Sequence, residues 1–318
     1  MDRRDAILGL VALGLAPTAG HTQPAGIRII GILGISNLEP ALGYMREGLR
    51  ELGYIEGKNI VIEVRSAADR PGALPATAAE LVALKPDVIV AFLTPAVQAA
   101  MKATSSIPIV MGSSGDPVAT GLIKSLARPG GNVTGVASAT AMLAGKLLEL
   151  VREIRPTTRN VAVLANAADP FAPTLVGQIE AAGKILGIAV RTVSVRGKEE
   201  YDAEFTKWAA ARVDGVIVQP SLPRPRAIEL ALKHKFITVS PSGPFVEAGG
   251  LLSYSPSVKE RSRAAAVYVD KILKGARPAD LPVEQPTVFE LIVNLKTAKA
   301  IGVKIPQSIL LRADQVIE

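Results

Sequence analysis

The chain has 318 residues, of which 48% are hydrophobic and 20% charged, so its composition is that of a folded globular protein and excludes a disordered one. It contains no cysteine, which excludes disulfides, thiol nucleophiles and cysteine-ligated metals. The formal net charge of +7 comes from scattered basic residues without interleaved aromatics, which indicates a solvated surface and no nucleic-acid partner. The length favours two domains of ordinary size.

The N-terminus has the layout of a secretory signal peptide. The stretch MDRRDAILGLVALGLAPTAGHTQPAG combines Arg3 and Arg4 with an apolar run over residues 6–16, followed by small residues. The run is about half as long as a bilayer-spanning helix. The sequence therefore predicts an exported, soluble, periplasmic protein with residues 1–25 as the signal peptide, cleaved near residues 19–25. A twin-arginine export route and a plain N-terminal tail are the alternatives.

From Ile27 onward, short β-branched runs alternate with amphipathic stretches. The runs IRIIGILG, NIVIEVRS, DVIVAFL and IPIVMGS predict the strands of a first lobe. The runs NVAVLAN, AVRTVSV, DGVIVQP and ITVSP predict the strands of a second. Apolar strands that alternate with helices are typical of parallel sheets covered on both faces. The prediction is an α/β protein with two doubly wound parallel-sheet lobes, and the alternative is one eight-stranded barrel.

The stretch GDPVATGLIKSLARPGGNVTG, residues 115–135, interrupts this alternation. It lacks the lysine and hydroxyl of a Walker-type phosphate loop, and the dinucleotide fingerprint G-x-G-x-x-G is also missing from the chain. Asp116 is predicted to cap a short helix with Pro117 in its first turn, and RPGG to end that helix. We interpret the segment as a crossover between lobes. Together with a second glycine-rich break at VEAGGLLSYS, it favours two lobes over a barrel.

The residue inventory indicates a binding protein and not an enzyme. His21 falls in the predicted signal peptide, and His234 lies between two lysines near a predicted helix C-terminus, where a cation favours the helix dipole. One such histidine can assemble neither a Ser-His-Asp triad nor a histidine metal cluster. No carboxylate pair has a spacing that indicates catalysis. We therefore expect no catalytic residue, no metal and no cofactor.

Four long segments resemble the ABC transporter substrate-binding protein family whose better-known members bind tryptophan or tyrosine. They are REGLRELGYIEGKNIVIEVR, ATSSIPIVMGSSGDPVATGLIKSLARPGGNVTG, AAVYVDKILKGARPADLPVEQPTVFELIVNLKTAKAIGVKIP and LLRADQVIE, and the resemblance runs from about Ile27 to Glu318. It implies a type I periplasmic-binding fold, whose two lobes are joined by three crossovers and close on a ligand. It also implies a cognate ABC permease in the inner membrane as partner. Where family members often have a bulkier segment before VEAGG, this chain has VSPSGPF, which implies a larger or more polar pocket.

The resemblance also implies how the chain is divided between the lobes. Residues 26–138 and 257–283 are assigned to lobe one, and residues 139–256 and 284–318 to lobe two. The third crossover is expected near LPVEQPTVFELIVN, and the protein is expected to be a monomer.

The candidate ligand site lies at the carboxyl ends of the predicted strands, where open α/β sheets bind ligands. For an amino acid ligand, Thr94 and the helix N-terminus at Pro95 predict a carboxylate site. Asp116 and Asp169 are alternatives for the ammonium group, although each could serve only as a cap or turn residue. The strand-end candidates include no arginine that could clamp a dianion, so a dianionic ligand is not expected.

Two aromatic residues, one near a predicted strand end and one just before the second crossover, are candidates for the ligand side chain. Phe171 and Tyr254 can stack on an apolar or aromatic group, with ordinary packing as the alternative, whereas Trp208 has the spacing of a packed helix residue. The remaining strand-end candidates are Ser36, Asn37, Ser113, Ser114, Asn166, Gln219 and Ser240. The predicted function is reversible binding of a small amino-acid-like ligand for an ABC importer. A sugar or nucleoside ligand and a sensory role through a partner protein are the alternatives.

Overall fold

The structure, a computed structural model, describes residues 26–318, and the predicted signal peptide lies outside the described residues. The strands are β1 (Arg28–Gly34), β2 (Ile60–Ser66), β3 (Val88–Phe92), β4 (Ile109–Ser114), β5 (Val133–Ala137), β6 (Asn160–Asn166), β7 (Ala189–Val195), β8 (Gly215–Val218), β9 (Ile237–Ser240), β10 (Leu252–Pro256), β11 (Phe289–Asn294) and β12 (Gln315–Ile317). The α-helices are α1 (Ala41–Glu51), α2 (Leu74–Ala83), α3 (Thr94–Ala103), α4 (Ala144–Ile154), α5 (Ala172–Leu186), α6 (Tyr201–Ala210), α7 (Arg224–His234), α8 (Gly243–Glu247), α9 (Val258–Leu273), α10 (Leu295–Ile301) and α11 (Gln307–Leu310).

Lobe one is built on a parallel sheet with the strand order β2-β1-β3-β4-β5. Both faces of its apolar strands are buried, as the uninterrupted hydrophobic runs predict. Helices α2 and α3 cover one face with residues such as Leu81 and Val97. Helices α1 and α9 cover the other with residues such as Met45 and Val269. The sheet is therefore doubly wound.

Lobe two is built on a sheet with the strand order β12-β11-β10-β9-β8-β6-β7. Helices α4, α5, α10 and α11 pack on one face, and helices α6, α7 and α8 on the other. Strands β10 and β11 pair antiparallel, while the other described pairs of this sheet are parallel. The sequence analysis did not predict β10 to β12, because their short segments include polar residues and lack the apolar signature of a buried parallel strand.

The chain passes between the lobes three times: after β5, between β10 and α9, and between α9 and β11. Helix α9 follows lobe-two strand β10 in sequence but packs on α1 and on strands β3 to β5 of lobe one. Two crossovers run side by side, since the Ala137 amide donates to the Glu284 carbonyl (2.9 Å) and the Glu284 amide donates to the Gly135 carbonyl (3.0 Å). The predicted fold class, two doubly wound α/β lobes joined by three crossovers, is confirmed.

The helix predicted after Asp116 does not form. The segment is a series of turns, in which the Leu122 amide donates to the Pro117 carbonyl (2.9 Å). Gly121 has a φ of 72°, a left-handed conformation that ends the first turn. Asp116 does accept a hydrogen bond from the Ala119 amide (3.0 Å), so its capping geometry is present without the helix. The turns bury the Leu122 side chain in the core. A helix over this short segment would not require that burial.

The sequence analysis also predicted the environment of Trp208. Trp208 is buried in lobe two with its ring 5.0 Å from that of Phe205, so it is the packed helix residue that its spacing predicts. Within residues 26–318, no helix has the length and apolar character to cross a bilayer. In the same range, no cluster of three or more His, Cys, Asp or Glu side chains could hold a metal ion.

Candidate functional site

The carboxyl ends of β3 and β4 in lobe one and of β6, β8 and β9 in lobe two face one cleft between the lobes, and the cleft contains a cavity of about 40 Å³. Lobe one and its crossovers line the cavity with Leu93, Thr94, Ser113, Gly115, Ser138 and Arg261. Lobe two lines it with Thr140, Asp169, Phe171, Gln219, Pro220, Ser221, Pro241, Ser242 and Pro256. A cavity needs about 10–15 Å³ to hold one water molecule, so this cavity has room for a few waters and not for an amino acid.

Thr94 forms part of the lobe-one wall, but its hydroxyl is engaged within that lobe. Its Oγ1 accepts a hydrogen bond from the Gly115 amide (3.0 Å) and lies 3.2 Å from the Ser114 hydroxyl. Pro95 is buried behind it in the first turn of α3. These bonds fix the loop that carries Ser113, Ser114 and Gly115 against the start of the helix. The carboxylate-binding role of Thr94 stays a prediction.

The backbone of the same wall is strained at Leu93. This residue has φ 72° and ψ 151°, a region that residues other than glycine rarely adopt, at a cost of about 1–3 kcal/mol. The Leu93 amide donates to the Ser113 carbonyl (2.7 Å), and the β3–β4 register shifts between Ala91 and Phe92. The strain turns the chain directly from β3 into α3, so that the Leu93 side chain lines the cavity.

Asp169 supplies a buried carboxylate to the lobe-two wall. Its Oδ2 accepts hydrogen bonds from Gln219 Nε2 (2.7 Å) and Ser221 Oγ (2.6 Å), and its Oδ1 accepts one from the Phe171 amide (2.9 Å). Burial raises the pKa of Asp169, and these three hydrogen bonds oppose that rise because they favour the ionised form. A carboxylate in this position can attract a cationic group that enters the cavity.

A second layer of hydrogen bonds orients the partners of Asp169. The backbone amide of Asn166 donates to Gln219 Oε1 (2.7 Å), so the Gln219 side chain must present its NH₂ group to the Asp169 carboxylate. Asn166 Nδ2 donates to Ser221 Oγ (3.2 Å), which leaves the Ser221 hydroxyl proton for Asp169. Ser240, whose hydroxyl donates to the Val218 carbonyl (2.8 Å), is also buried. Asn166 and Ser240 thus lie outside the cavity wall and support its neighbours.

Phe171 of lobe two packs against Gly115 of lobe one across the cleft. A Cβ atom built on Gly115 would lie 2.1 Å from Cγ of the Phe171 ring, so only glycine allows this approach. Phe171 is buried, although it belongs to the loop before α5 and faces the opposite lobe. The aromatic residue predicted at the site therefore closes the cavity on one side.

Ser36 and Asn37 lie at the rim of the cleft and not in its central cavity. There Arg224, the first residue of α7 in lobe two, donates from Nη2 to Ser36 Oγ (2.9 Å) and to the Asn37 carbonyl (3.3 Å). Burial lowers the pKa of Arg224, while the charges of Asp69 and Glu247 oppose this. The contact joins the two lobes directly.

Two predicted site residues are placed away from the central cavity. Asp116 is exposed, and its carboxylate caps the turn that follows it. Tyr254 is half-buried in β10, with its ring stacked on Phe289 at 6.1 Å between centroids. Gly115, next to Asp116, lines the cavity in its place.

Arg261 is the charged cavity residue that the sequence analysis missed. It lies in α9, four residues after Ser257, and reaches the cleft because α9 returns to lobe one. Ser138 and Thr140, whose hydroxyls lie 3.0 Å apart, were also missed. The candidates were taken from the ends of the four main predicted strands of each lobe. Ser138 directly follows β5, the strand that leaves lobe one and was left out of that set, and Thr140 and Arg261 follow no predicted strand. An analysis of each crossover as well as each strand end would have included them.

A sequence model of the family described as "ABC transporter substrate binding protein" matches residues 27–317. The chain belongs to this family. Members are the ligand-binding components of ABC transporters, so the family resemblance carried by the four sequence segments is confirmed.

Two relatives are described with an amino acid ligand. The chain is 28% identical over 284 residues to the tyrosine-binding protein of Clostridioides difficile (strain R20291), in an alignment that covers 86% of this chain and 81% of the relative. A solved structure from Streptococcus pneumoniae, in complex with L-Trp, has a TM-score of 0.80 and 28% identity, and the match covers 91% of this chain and 99% of that one.

A substrate-binding protein with adhesive properties from Clostridium difficile was solved in a ligand-free, open form. It matches with a TM-score of 0.62 and 26% identity, over 92% of this chain and 99% of its own. Sequence identity and coverage are almost the same as for the L-Trp complex, but the superposition is much poorer. The lobes of this chain are therefore arranged more like those of the liganded relative.

Proposed function

We propose that this substrate-binding protein is the extracytoplasmic component of an ABC importer and binds a small amino acid with an apolar or aromatic side chain. The observation that carries the proposal is the buried carboxylate of Asp169, held by three hydrogen bonds in a cleft walled by both lobes. A permease must receive its cargo intact, so binding has to be reversible and to rely on hydrogen bonds, charge and packing.

The chemistry of the cavity supports this ligand class. Asp169 matches an α-ammonium group, and the hydroxyls of Ser113 and Ser138 can hydrogen-bond a carboxylate. Leu93 and Phe171, with three prolines of the wall, offer apolar contact to a side chain. The tyrosine and L-Trp ligands named for two relatives support an aromatic amino acid.

Ligand entry requires the lobes to separate. The cavity of about 40 Å³ is closed by the Phe171–Gly115 contact and by Arg224 at the rim. A ligand stabilises the closed state only through contacts that are better there than in the open state. We propose that the lobes, residues 26–138 with 257–283 and residues 139–256 with 284–318, move about the crossovers near residues 132–139 and 253–257 and the one after residue 283.

Small-angle X-ray scattering tests the closure. Protein freed of ligand should have a larger radius of gyration than protein saturated with its amino acid, because the lobes separate without it. The same radius in both samples would contradict hinge closure.

Calorimetry tests the ligand class. Protein unfolded, freed of bound molecules and refolded should bind at least one aromatic or apolar amino acid, while sugars, nucleosides and aromatic acids without an amino group should not bind. Binding of a sugar or a nucleoside alone would show that the ligand class is wrong. Fractionation of the native host tests the proposed location, since the processed chain should occur in the soluble envelope fraction.

Amino-acid affinity should fall on acidification at a higher pH than an ordinary aspartate would dictate. Burial raises the pKa of Asp169 above its usual value of about 3.9, and only the ionised form attracts an ammonium group. Below the raised pKa, each pH unit should weaken binding about tenfold. The stability of the ligand-free protein depends on pH in the opposite direction, because burial of the charged carboxylate costs stability. The stabilising contribution of Asp169 is largest below its pKa in the unfolded chain and is lost as the pH rises through its pKa in the folded protein. Calorimetry from about pH 4 to 8 measures the effect, and a flat profile would contradict it.

Replacement of Arg224 by alanine should weaken ligand binding about fivefold by destabilising the closed lobes. The variant loses the hydrogen bonds to Ser36 and Asn37, worth about 1 kcal/mol at this partly solvated rim. Arg226→Ala is the matched control, since Arg226 pairs with Asp202 and Glu229 within lobe two. Faster ligand dissociation in the first variant alone is expected, and equal effects of both would argue against a rim contact specific to closure.

A further inference from the structure

Arg261 brings a positive charge to the cavity, and few groups of the protein offset that charge. Its Nε donates to the Ser257 carbonyl (3.3 Å), one turn back in its own helix, and among residues 26–318 neither Nη atom has a hydrogen-bond partner or a carboxylate within ion-pair distance. Burial lowers the pKa of Arg261 to about 10, with the charge of Glu290 opposing, so the guanidinium remains cationic at neutral pH. A half-buried cation with unused donors is costly unless another anion completes it.

We propose that Arg261 binds the carboxylate of the ligand while Asp169, on the opposite lobe, binds its ammonium group, so that the site selects a zwitterion. The inference rests on the proposed function and deepens it, because it assigns the two charges of an amino acid to two named residues. It replaces Thr94 as the carboxylate partner, since the Thr94 hydroxyl is already engaged by Gly115 and Ser114.

The geometry of arginine suits this role. Its planar guanidinium presents parallel N–H donors that match the two oxygens of a carboxylate. Arg261 and Asp169 line the same cavity, yet in the described structure they form no ion pair with each other, and Asp169 is instead satisfied by Gln219, Ser221 and its own loop. The two opposite charges are thus held apart in one cavity, as a bridging zwitterion requires.

The position of Arg261 in the chain connects this contact to closure. Ser257, which directly follows the lobe-two strand β10, caps α9 by accepting a hydrogen bond from the Glu260 amide (3.3 Å). Arg261 is in the next turn and moves with lobe one, whereas Asp169 moves with lobe two. A ligand that carries both charges therefore joins the lobes beside a crossover, while a ligand that lacks either charge can hold only one of them.

Calorimetry with L-tyrosine, L-tryptophan and three analogues of each tests the inference. The analogues are the amide, which lacks the carboxylate charge, the decarboxylated amine, and the deaminated acid. The wild-type protein should bind at least one of the amino acids about a hundredfold tighter than its amide and its amine. Arg261→Gln should lose most of that affinity for the amino acid and bind the amide as the wild type does, so that discrimination between the two disappears. Arg261→Lys should recover part of the discrimination because it keeps the charge.

Arg263→Gln is the matched control, since Arg263 lies on the same helix and pairs with Glu51 at the surface of lobe one. It should bind all probes as the wild type does. Equal binding of amino acid and amide by the wild-type protein would overturn the inference without any variant. So would an Arg261→Gln protein that keeps the discrimination or that loses all probes equally, the sign of a merely structural role. If neither amino acid binds but another zwitterionic amino acid does, the same comparison is made with that one. If no amino acid binds, the proposed function and this inference both fail.

Discussion

Replacement of Gly115 by alanine is expected to hold the lobes apart and to weaken ligand binding by roughly tenfold to a hundredfold. The new methyl group would lie 2.1 to 2.5 Å from three carbons of the Phe171 ring, well inside contact distance. Overpacking of this kind costs about 1–3 kcal/mol. Since the two residues belong to different lobes, separation of the lobes relieves the clash without disturbing either core. The clash therefore raises the free energy of the closed arrangement and not that of either folded lobe.

Scattering and calorimetry distinguish this result from general destabilisation. Gly115→Ala should show the larger radius of the open form even with ligand present at concentrations that compact the wild type, and its thermal midpoint should be nearly unchanged. Gly131→Ala is the matched control, because Gly131 is exposed and a Cβ there would meet no atom within 4 Å. Adding Phe171→Ala to Gly115→Ala should restore compaction, since the clashing ring is removed. A Gly115→Ala protein that closes and binds normally would contradict the cross-cleft contact.

Replacement of Asp169 by asparagine should abolish detectable amino-acid binding and also destabilise lobe two by about 2–4 kcal/mol. In either orientation the new NH₂ group would face groups that donate to the carboxylate in the native protein: Gln219 Nε2 and the Ser221 hydroxyl in one, and the Phe171 backbone amide in the other. Gln219 cannot turn its oxygen toward the asparagine without leaving the Asn166 amide unpaired. Each buried donor left without an acceptor costs about 1–3 kcal/mol. The ligand ammonium loses its counter-charge in addition, which costs a further 2–5 kcal/mol in affinity.

Asp116→Asn serves as the control and also tests the alternative ammonium partner. Asp116 is exposed, and the single described hydrogen bond of its carboxylate comes from the Ala119 amide, so the substitution should change stability by less than about 1 kcal/mol and leave affinity unaltered. Chemical denaturation measures stability, and calorimetry measures affinity for the amino acid that the wild type binds. If Asp116→Asn abolished binding while Asp169→Asn retained it, the assignment of the ammonium site would have to be exchanged.

Several site residues were predictable because the carboxyl ends of parallel strands meet at one edge of a sheet. Ser113 follows the apolar core of β4, and Gln219 directly follows β8, so recognising the strands was enough to bring both to the cleft. Asp169 and Phe171 come a few residues after β6 and are carried to the same edge. Tyr254 was a candidate because it precedes a crossover, but its ring stacks on Phe289, since position in the chain does not specify which way a side chain points.

The alternation of apolar runs and amphipathic stretches by itself determined the α/β class, since hydrophobic periodicity is a local property of the chain, and the glycine-rich breaks favoured two lobes over a barrel. The tertiary structure decided where Arg261 and Arg224 lie. Arg261 reaches the cavity only because α9 crosses back and packs on α1, and Arg224 meets Ser36 only because the two lobes face each other across the cleft. The tertiary structure also decided that residues 116–128 form turns. In so short a segment the free energy gained by burying the Leu122 side chain exceeds the small free energy that a helix would contribute. These outcomes depend on contacts between residues far apart in sequence, and local periodicity carries no information about such contacts.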